Sequence, residues 1–115
     1  MKTSYNPKIV SAFFASQGIP EPEFEYRFHP VRKWRFDLAW ITFYAGSGIT
    51  LKPQLAIEVQ GGLFAYGGHN RGAQIVKEHE KYNEAAAMFW RILYCQPSEL
   101  CTVHFSKVIK RALGL

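Results

Sequence analysis

The chain has 115 residues, of which 48% are hydrophobic and 16% aromatic. This length supports one globular domain, residues 1–115, and argues against a second. The formal charge of +5 favours a polyanionic partner. No run of about 18 apolar residues occurs, so we expect no membrane-spanning helix. With no secretory leader pattern and two cysteines outside any metal-ligand spacing, we expect a cytoplasmic protein.

The first predicted element is a helix close to the N-terminus. Asn6 suits the N-cap and Pro7 the first helical position, while Gly18 and Pro20 end the helix. Four apolar residues at helical spacing are expected to share its buried face: Ile9, Val10, Phe13 and Phe14.

Three strands are predicted next. A short strand is expected at Phe24 to Phe28. In WRFDLAW (residues 34–40), large apolar residues alternate with smaller or charged ones, so Asp37 should face away from the aromatic side chains. A turn-rich connection leads to LAIEVQ (residues 55–60), in which Glu58 faces away from the apolar residues at 55, 57 and 59.

The second half of the chain reads as helix, strand and helix. After the glycine-rich loop GGLFAYGGHNRGA, a helix is predicted from about Ala73 to Phe89, and WRILYC (residues 90–95) follows as a buried strand, parallel to the previous one. An amphipathic helix is expected from Ser98 onward. The order αβββαβα predicts an α/β fold. The inner face of the long helix is expected to carry Ile75, Val76, His79, Tyr82, Ala86 and Phe89.

Glu58 places a charge in a stretch with the composition of a buried strand. If the two central strands pair antiparallel, Asp37 and Glu58 project from the same sheet face as neighbours. Two adjacent carboxylates repel one another, so a positive group is expected between them. A divalent metal ion is the simplest candidate.

Four stretches, in this order, carry a resemblance to a known family: EYRFHPVRKWRFDLAW, LAIEVQGG, GGHNRG and EKYNEAA. With an Asp on the second strand and Glu-x-Gln on the third, the chain resembles the PD-(D/E)XK nucleases. More narrowly, it resembles a small phage endonuclease group related to Holliday-junction resolvases. The resemblance covers Glu25 to Cys95. It implies a restriction-endonuclease-like αβββαβ core with a mixed sheet flanked by helices. For a phage-encoded chain, the expected location is the cytoplasm of the bacterial host.

The resemblance implies metal-dependent hydrolysis of DNA phosphodiester bonds. Mg²⁺ prefers one or two carboxylates and retained waters, a ligand set that Asp37, Glu58 and the Val59 carbonyl can supply. Mn²⁺ is expected to substitute for Mg²⁺. By resemblance, Glu25 adds a further ligand or holds a metal-bound water.

Gln60 departs from the family pattern, which usually has lysine at this place. A neutral amide does not replace a cation electrostatically. Either Gln60 orients a water, or the cation comes from elsewhere, or the site is weakened or inactive. Lys81, on the helix that follows, is the preferred substitute by resemblance, and Lys77 one turn earlier is the second choice. The expected catalytic set is Asp37, Glu58, Gln60 and Lys81.

DNA affinity is expected to come from basic side chains that meet phosphates. Within residues 27–36, which contain no acid, the basic residues are Arg27, Arg32, Lys33 and Arg35. Further candidates are His69, Arg71 and Lys77; for His69 and its neighbours, the alternative is that they cap the following helix. A second basic group comprises Lys107, Lys110 and Arg111. A solvated basic face would have the same composition.

The favoured function is a magnesium-dependent endonuclease that acts as a homodimer on four-way DNA junctions. A resolvase must cut two strands related by near two-fold symmetry, and a symmetric dimer supplies two sites in that arrangement. The candidate interfaces are ITFYAGSGITL (residues 41–51) and the C-terminal helix. Two alternatives stay open: a mismatch-nicking, duplex-nicking or restriction enzyme of the same fold, and a non-catalytic DNA-binding protein in which Gln60 marks lost activity.

Overall fold

The computed structural model describes residues 5–41, 44–45, 49–50, 54–60 and 71–115. Ten elements occur in this part of the chain, six strands and four helices. In chain order they are α1 (Pro7–Ser16), β1 (Glu23–Arg27), β2 (Arg35–Trp40), β3 (Tyr44–Ala45), β4 (Ile49–Thr50), β5 (Leu55–Val59), α2 (Arg71–Ala87), β6 (Arg91–Cys95), α3 (Pro97–Leu100) and α4 (Val103–Leu113).

Four of the strands form a mixed sheet in the order β1-β2-β5-β6. Strand β2 pairs antiparallel with both β1 and β5, and β6 pairs parallel with β5. The α/β class, the helix-flanked mixed sheet and the parallel pair are therefore confirmed. Strands β3 and β4 form a separate two-stranded ribbon, in a segment that we predicted to be a turn-rich connection.

The sheet separates two hydrophobic clusters. Helices α1, α3 and α4 pack on one face, where the first cluster contains Val10, Phe14, Leu38, Trp40, Leu55, Ile57, Leu100, Phe105, Ile109 and Leu113, among others. Helix α2 packs on the other face, where the second cluster contains Phe28, Phe36, Ala39, Ala56, Ala85 and Trp90. The alternation predicted for residues 55–60 is confirmed, because Leu55 and Ile57 face the first cluster and Ala56 the second.

The alternation predicted for residues 34–40 is wrong in its first half. Leu38 and Trp40 belong to the first cluster, but Phe36 belongs to the second and Trp34 packs against it. The large side chains of β2 therefore change faces at Asp37.

Strand β1 changes faces at the same level. Phe24 packs against the first cluster and Tyr26 against the second. The residue between them, Glu25, has a φ of 52°, in the left-handed region that non-glycine residues seldom occupy. The pleat of β1 is thus interrupted at Glu25, at the level where β2 also changes faces, and the sequence pattern does not reveal this.

Helix α1 begins as predicted. The Asn6 side-chain oxygen accepts the N–H groups of Lys8 (2.9 Å) and Ile9 (3.3 Å), and Pro7 is the first helical residue. The expectation that Ile9 is buried is wrong, because 61% of this residue is exposed.

No helix in the described ranges is long and apolar enough to cross a membrane.

The predicted inner face of α2 is confirmed at Tyr82, which contacts Glu58, and is wrong at several other positions. Val76 is 66% exposed and Phe89, which follows the helix with a φ of 68°, is 81% exposed. The sheet-facing residues that the structure describes include Ala85, which is fully buried, and the partly buried Lys81 and Tyr82. Apolar periodicity misplaced this face because the helix turns polar groups towards the sheet.

The C-terminal region differs from the prediction in two respects. Strand β6 lies at the sheet edge and is only partly buried, with Tyr94 50% exposed. Two helices, α3 and α4, replace the single predicted one, because Thr102 caps a new helix by accepting the N–H of Phe105 (3.1 Å).

Candidate functional site

Asp37 and Glu58 are cross-strand neighbours in the middle of the sheet. The β2–β5 register pairs Leu38 with Ile57, which places Asp37 opposite Glu58. Glu58 Oε2 accepts the N–H of Asp37 (3.1 Å), and Asp37 Oδ2 accepts the N–H of Val59 (2.7 Å). Each carboxylate thus bonds the backbone of the opposite strand. We call these two residues the carboxylate pair.

Helix α2 brings two donors to the same oxygen of Glu58. Lys81 Nζ and the Tyr82 hydroxyl each lie 2.9 Å from Glu58 Oε1. Glu58 is only 7% exposed, and a buried carboxylate needs such partners to offset the loss of hydration. The structure therefore joins Lys81 to the carboxylate pair, whereas Lys77 is an exposed residue one turn earlier.

Gln60 is linked to Glu58 through Tyr82. Its Nε2 donates to the Tyr82 hydroxyl (3.3 Å), which in turn donates to Glu58. Sequence reasoning assigned Tyr82 only to the helix face and missed this contact. The available signal was its position next to Lys81 in the EKYN stretch.

Glu25 also joins this group. Its position in β1 is bracketed by the pairs Phe24–Leu38 and Tyr26–Phe36, so it lies beside Asp37. The Tyr5 hydroxyl lies 3.0 Å from Glu25 Oε2 and 3.0 Å from the Asp37 carbonyl oxygen. Sequence reasoning missed Tyr5, since nothing in the local pattern links it to residues 20 and 32 positions away.

The electrostatic environment of Asp37 is unfavourable for its charge. Burial raises the pKa of Asp37 to about 6, and the charges of Glu58 and Glu25 act in the same direction. The Val59 N–H and the Lys81 ammonium oppose this shift. Three carboxylates and one ammonium leave a formal charge of −2 when all four groups are ionised. A divalent cation matches that charge.

The carboxylates of this group would suit a magnesium ion that keeps several of its water ligands. They do not form an enclosed metal site. Among the described residues, no group of three or more His, Cys, Asp or Glu has the arrangement needed to hold a metal ion. Mg²⁺, however, is commonly bound by one or two carboxylates and retained waters, with the remaining ligands from substrate phosphate. Asp37 and Glu58 satisfy that requirement, with Glu25 beside them.

Four of the seven residues predicted to bind DNA lie on the hairpin of β1 and β2. Arg27 and Arg35 are cross-strand partners at the ends of β1 and β2, and both are exposed. Arg32 and the exposed Lys33 lie in the connection between the strands. We call these four residues the basic hairpin. Each strand therefore carries an arginine two residues from an acid, Arg27 from Glu25 and Arg35 from Asp37.

The basic hairpin is attached to α2. The Arg32 guanidinium pairs with Glu80 (3.2 and 3.4 Å) and lies 4.1 Å above the Trp34 ring centre. His29 Nε2 lies 3.1 Å from Glu84 Oε1. Part of the Arg32 charge is therefore offset within the chain.

Two predicted DNA contacts fall at the start of α2. Arg71 is the first residue of α2, and only its backbone is described. His69 lies outside the described residues. Their roles stay predictions. The same holds for the Val59 carbonyl as a metal ligand.

Comparison of the chain with protein-family models, with curated proteins and with solved structures found no match.

Proposed function

We propose that this protein is a metal-dependent endonuclease that hydrolyses phosphodiester bonds in branched DNA. The observation that carries the proposal is the carboxylate pair on adjacent strands, with the Lys81 ammonium 2.9 Å from one of its oxygens. Paired carboxylates with a nearby ammonium suit phosphate chemistry, in which a cation offsets charge on the reacting oxygens. The resemblance of four sequence stretches to junction-resolving nucleases supports the same assignment.

The proposed reaction gives each residue a role. A water oxygen forms a bond to phosphorus, the bond from phosphorus to a sugar oxygen breaks, and that oxygen leaves protonated as an alcohol. When bound, Mg²⁺ supplies neutralisation of the phosphate and a bound water of lowered pKa. Asp37 and Glu58 would hold the ion, and Lys81 would offset negative charge that develops at phosphorus.

The basic hairpin supports DNA as the substrate. Arg27 and Arg35 face each other across two strands, and like charges in that position destabilise a sheet. A phosphate between them would relieve the repulsion. Along their strands, both lie two residues from acids of the site.

One observation favours a second candidate, a DNA-binding protein without nuclease activity. Both oxygens of Glu58 already accept hydrogen bonds within the chain, from Asp37, Lys81 and Tyr82. In this alternative the carboxylate pair only joins β2, β5 and α2. The basic hairpin would bind DNA in either case.

A cleavage assay separates the two candidates. The wild-type protein is incubated with a fixed four-way junction, a mismatched duplex and a matched linear duplex, in Mg²⁺, in Mn²⁺ and in EDTA. We expect the junction to be cut only with metal. Asp37→Asn should bind DNA with equal or higher affinity and not cut it, while Glu21→Gln, at an exposed acid, should behave as wild type. Substantial cleavage by Asp37→Asn, or no cleavage by wild type, would contradict the nuclease proposal.

A further inference from the structure

The hydrogen bonds around Tyr82 determine whether the NH₂ group or the carbonyl group of the Gln60 amide points towards Tyr82. An ionised Glu58 carboxylate only accepts hydrogen bonds, so the Tyr82 hydroxyl must donate its proton to Glu58 Oε1 (2.9 Å). The hydroxyl oxygen is then left as an acceptor. The group of Gln60 that meets it at 3.3 Å must be the amide NH₂, and the amide carbonyl faces away from Tyr82.

The Tyr82 hydroxyl is well placed to keep this arrangement. Its ring packs edge-on against Tyr94, with ring centres 5.7 Å apart and planes at 87°. One turn along α2, the fully buried Ala85 fixes the helix against the sheet.

We propose that Tyr82 is a positioning residue that holds the Gln60 amide so that its carbonyl oxygen accepts a hydrogen bond from the attacking water. This inference rests on the proposed nuclease function. It gives Gln60 a role that a motif lysine does not have, since a lysine ammonium only donates. The cation and the water-orienting group are then two residues, Lys81 and Gln60, and Tyr82 connects Gln60 to Glu58.

The first test compares two hydroxyl deletions. Tyr82→Phe keeps the ring and leaves the Lys81–Glu58 ion pair in place, and Tyr94→Phe removes a hydroxyl from the ring beside it. We expect Tyr82→Phe to lower the single-turnover rate about ten- to a hundred-fold, as loss of an outer partner typically does. DNA affinity should be unchanged. Tyr94→Phe should cut at the wild-type rate.

A double-mutant cycle tests whether Tyr82 acts through Gln60. If it does, Gln60→Ala combined with Tyr82→Phe should be no slower than Gln60→Ala alone, because residues that act as one unit are not additive. Multiplied rate reductions would overturn the inference and assign Tyr82 to Glu58 alone.

A measurement without DNA tests the positioning directly. The side-chain NH₂ resonances of Gln60 are followed in a ¹H–¹⁵N spectrum. Tyr82→Phe should shift them, and Tyr94→Phe should leave them nearly in place. Unmoved Gln60 resonances in Tyr82→Phe would overturn the inference even if wild type cuts DNA. Wild type that cuts no DNA overturns the nuclease proposal, and a Gln60 shift would then assign the contact a structural role.

Discussion

At Glu58, three donors from two elements meet one buried carboxylate: the Asp37 N–H from β2, and Lys81 and Tyr82 from α2. Removing one partner of a buried ion pair typically costs about 3–5 kcal/mol, since the remaining charge stays buried without compensation. Asp37 is in the opposite situation, with more negative neighbours than positive ones. The two acids of the carboxylate pair are therefore expected to respond differently to substitution.

Asp37→Asn should change how the stability of the protein depends on pH. The pKa of Asp37 is about 6 in the folded state against an ordinary 3.8, so its contribution to stability is full below about pH 3.8 and is lost as the pH rises through about 6. Asparagine still accepts the Val59 N–H but carries no charge. In EDTA, the variant should gain stability relative to wild type between pH 4 and pH 7.

Denaturant unfolding at pH 4, 5, 6 and 7 measures this difference. Glu21→Gln, at an exposed acid, serves as the control and should show no such trend. A stability difference between Asp37→Asn and wild type that is constant over this range would contradict the prediction.

Lys81→Ala should lower the cleavage rate much more than DNA affinity. Loss of a cation that acts in the transition state typically costs about 10²-fold or more. Lys8→Ala, at an exposed position of α1, is the control.

Single-turnover rates and unfolding midpoints are measured on the same preparations, so that loss of fold is separated from loss of catalysis. If Lys81→Ala cuts as fast as wild type, the cation role passes to Lys77 or to no lysine.

At the scale of elements, the sequence predicted most of the sheet and less of its surroundings. Alternation gave β2 and β5 within one residue, and it placed Asp37 and Glu58 side by side. For α2 it placed Tyr82 correctly but missed Lys81 and Ala85, because a helix that turns a lysine towards the buried Glu58 does not follow apolar periodicity. Those contacts depend on tertiary packing, which a local pattern does not contain.

The β1–β2 hairpin shows the same limit. Both of its strands were predicted to within one residue. The left-handed backbone at Glu25 turns the aromatic residues beyond it to the α2 face of the sheet. The residue at this position is not glycine or asparagine, the types typical of left-handed backbone, so the sequence does not predict the change of faces. The antiparallel register pairs Arg27 with Arg35 at the end of the hairpin.

Arg27→Gln and Arg35→Gln should each reduce the salt dependence of DNA binding. Removing a side chain that binds one phosphate is expected to lower the slope of log K against log salt by about one. Lys8→Gln is the control, since Lys8 is an exposed residue of α1 that belongs to neither basic group. Binding is measured by titration at several salt concentrations. Equal effects of all three substitutions would contradict a specific role for the basic hairpin.

At the scale of the whole molecule, the sheet offers different surfaces on its two sides. Helix α4 was one predicted dimer interface, but its apolar face is already used within the chain, where Phe105, Ile109 and Leu113 are buried. Most of the other candidate segment, residues 41–51, lies outside the described residues. A homodimer remains a prediction, drawn from the two cuts that junction resolution requires.

Titration of the protein against a fixed four-way junction and its matched linear duplex, with solution mass measured in parallel, tests this prediction. We expect paired, symmetric incisions in the junction by a species of twice the chain mass. A monomer that cuts linear duplex equally well would favour the duplex-nicking alternative.

The division of the core by the sheet also divides the tryptophans. Trp40 lies in the first cluster, where its indole N–H donates to the Pro20 carbonyl (2.8 Å), while Trp90 lies in the second and Trp34 packs against it. In Trp40→Phe, all remaining indole fluorescence would come from the face that carries α2 and Arg32. Titration of that variant with DNA or Mn²⁺ would give an optical signal from this face alone.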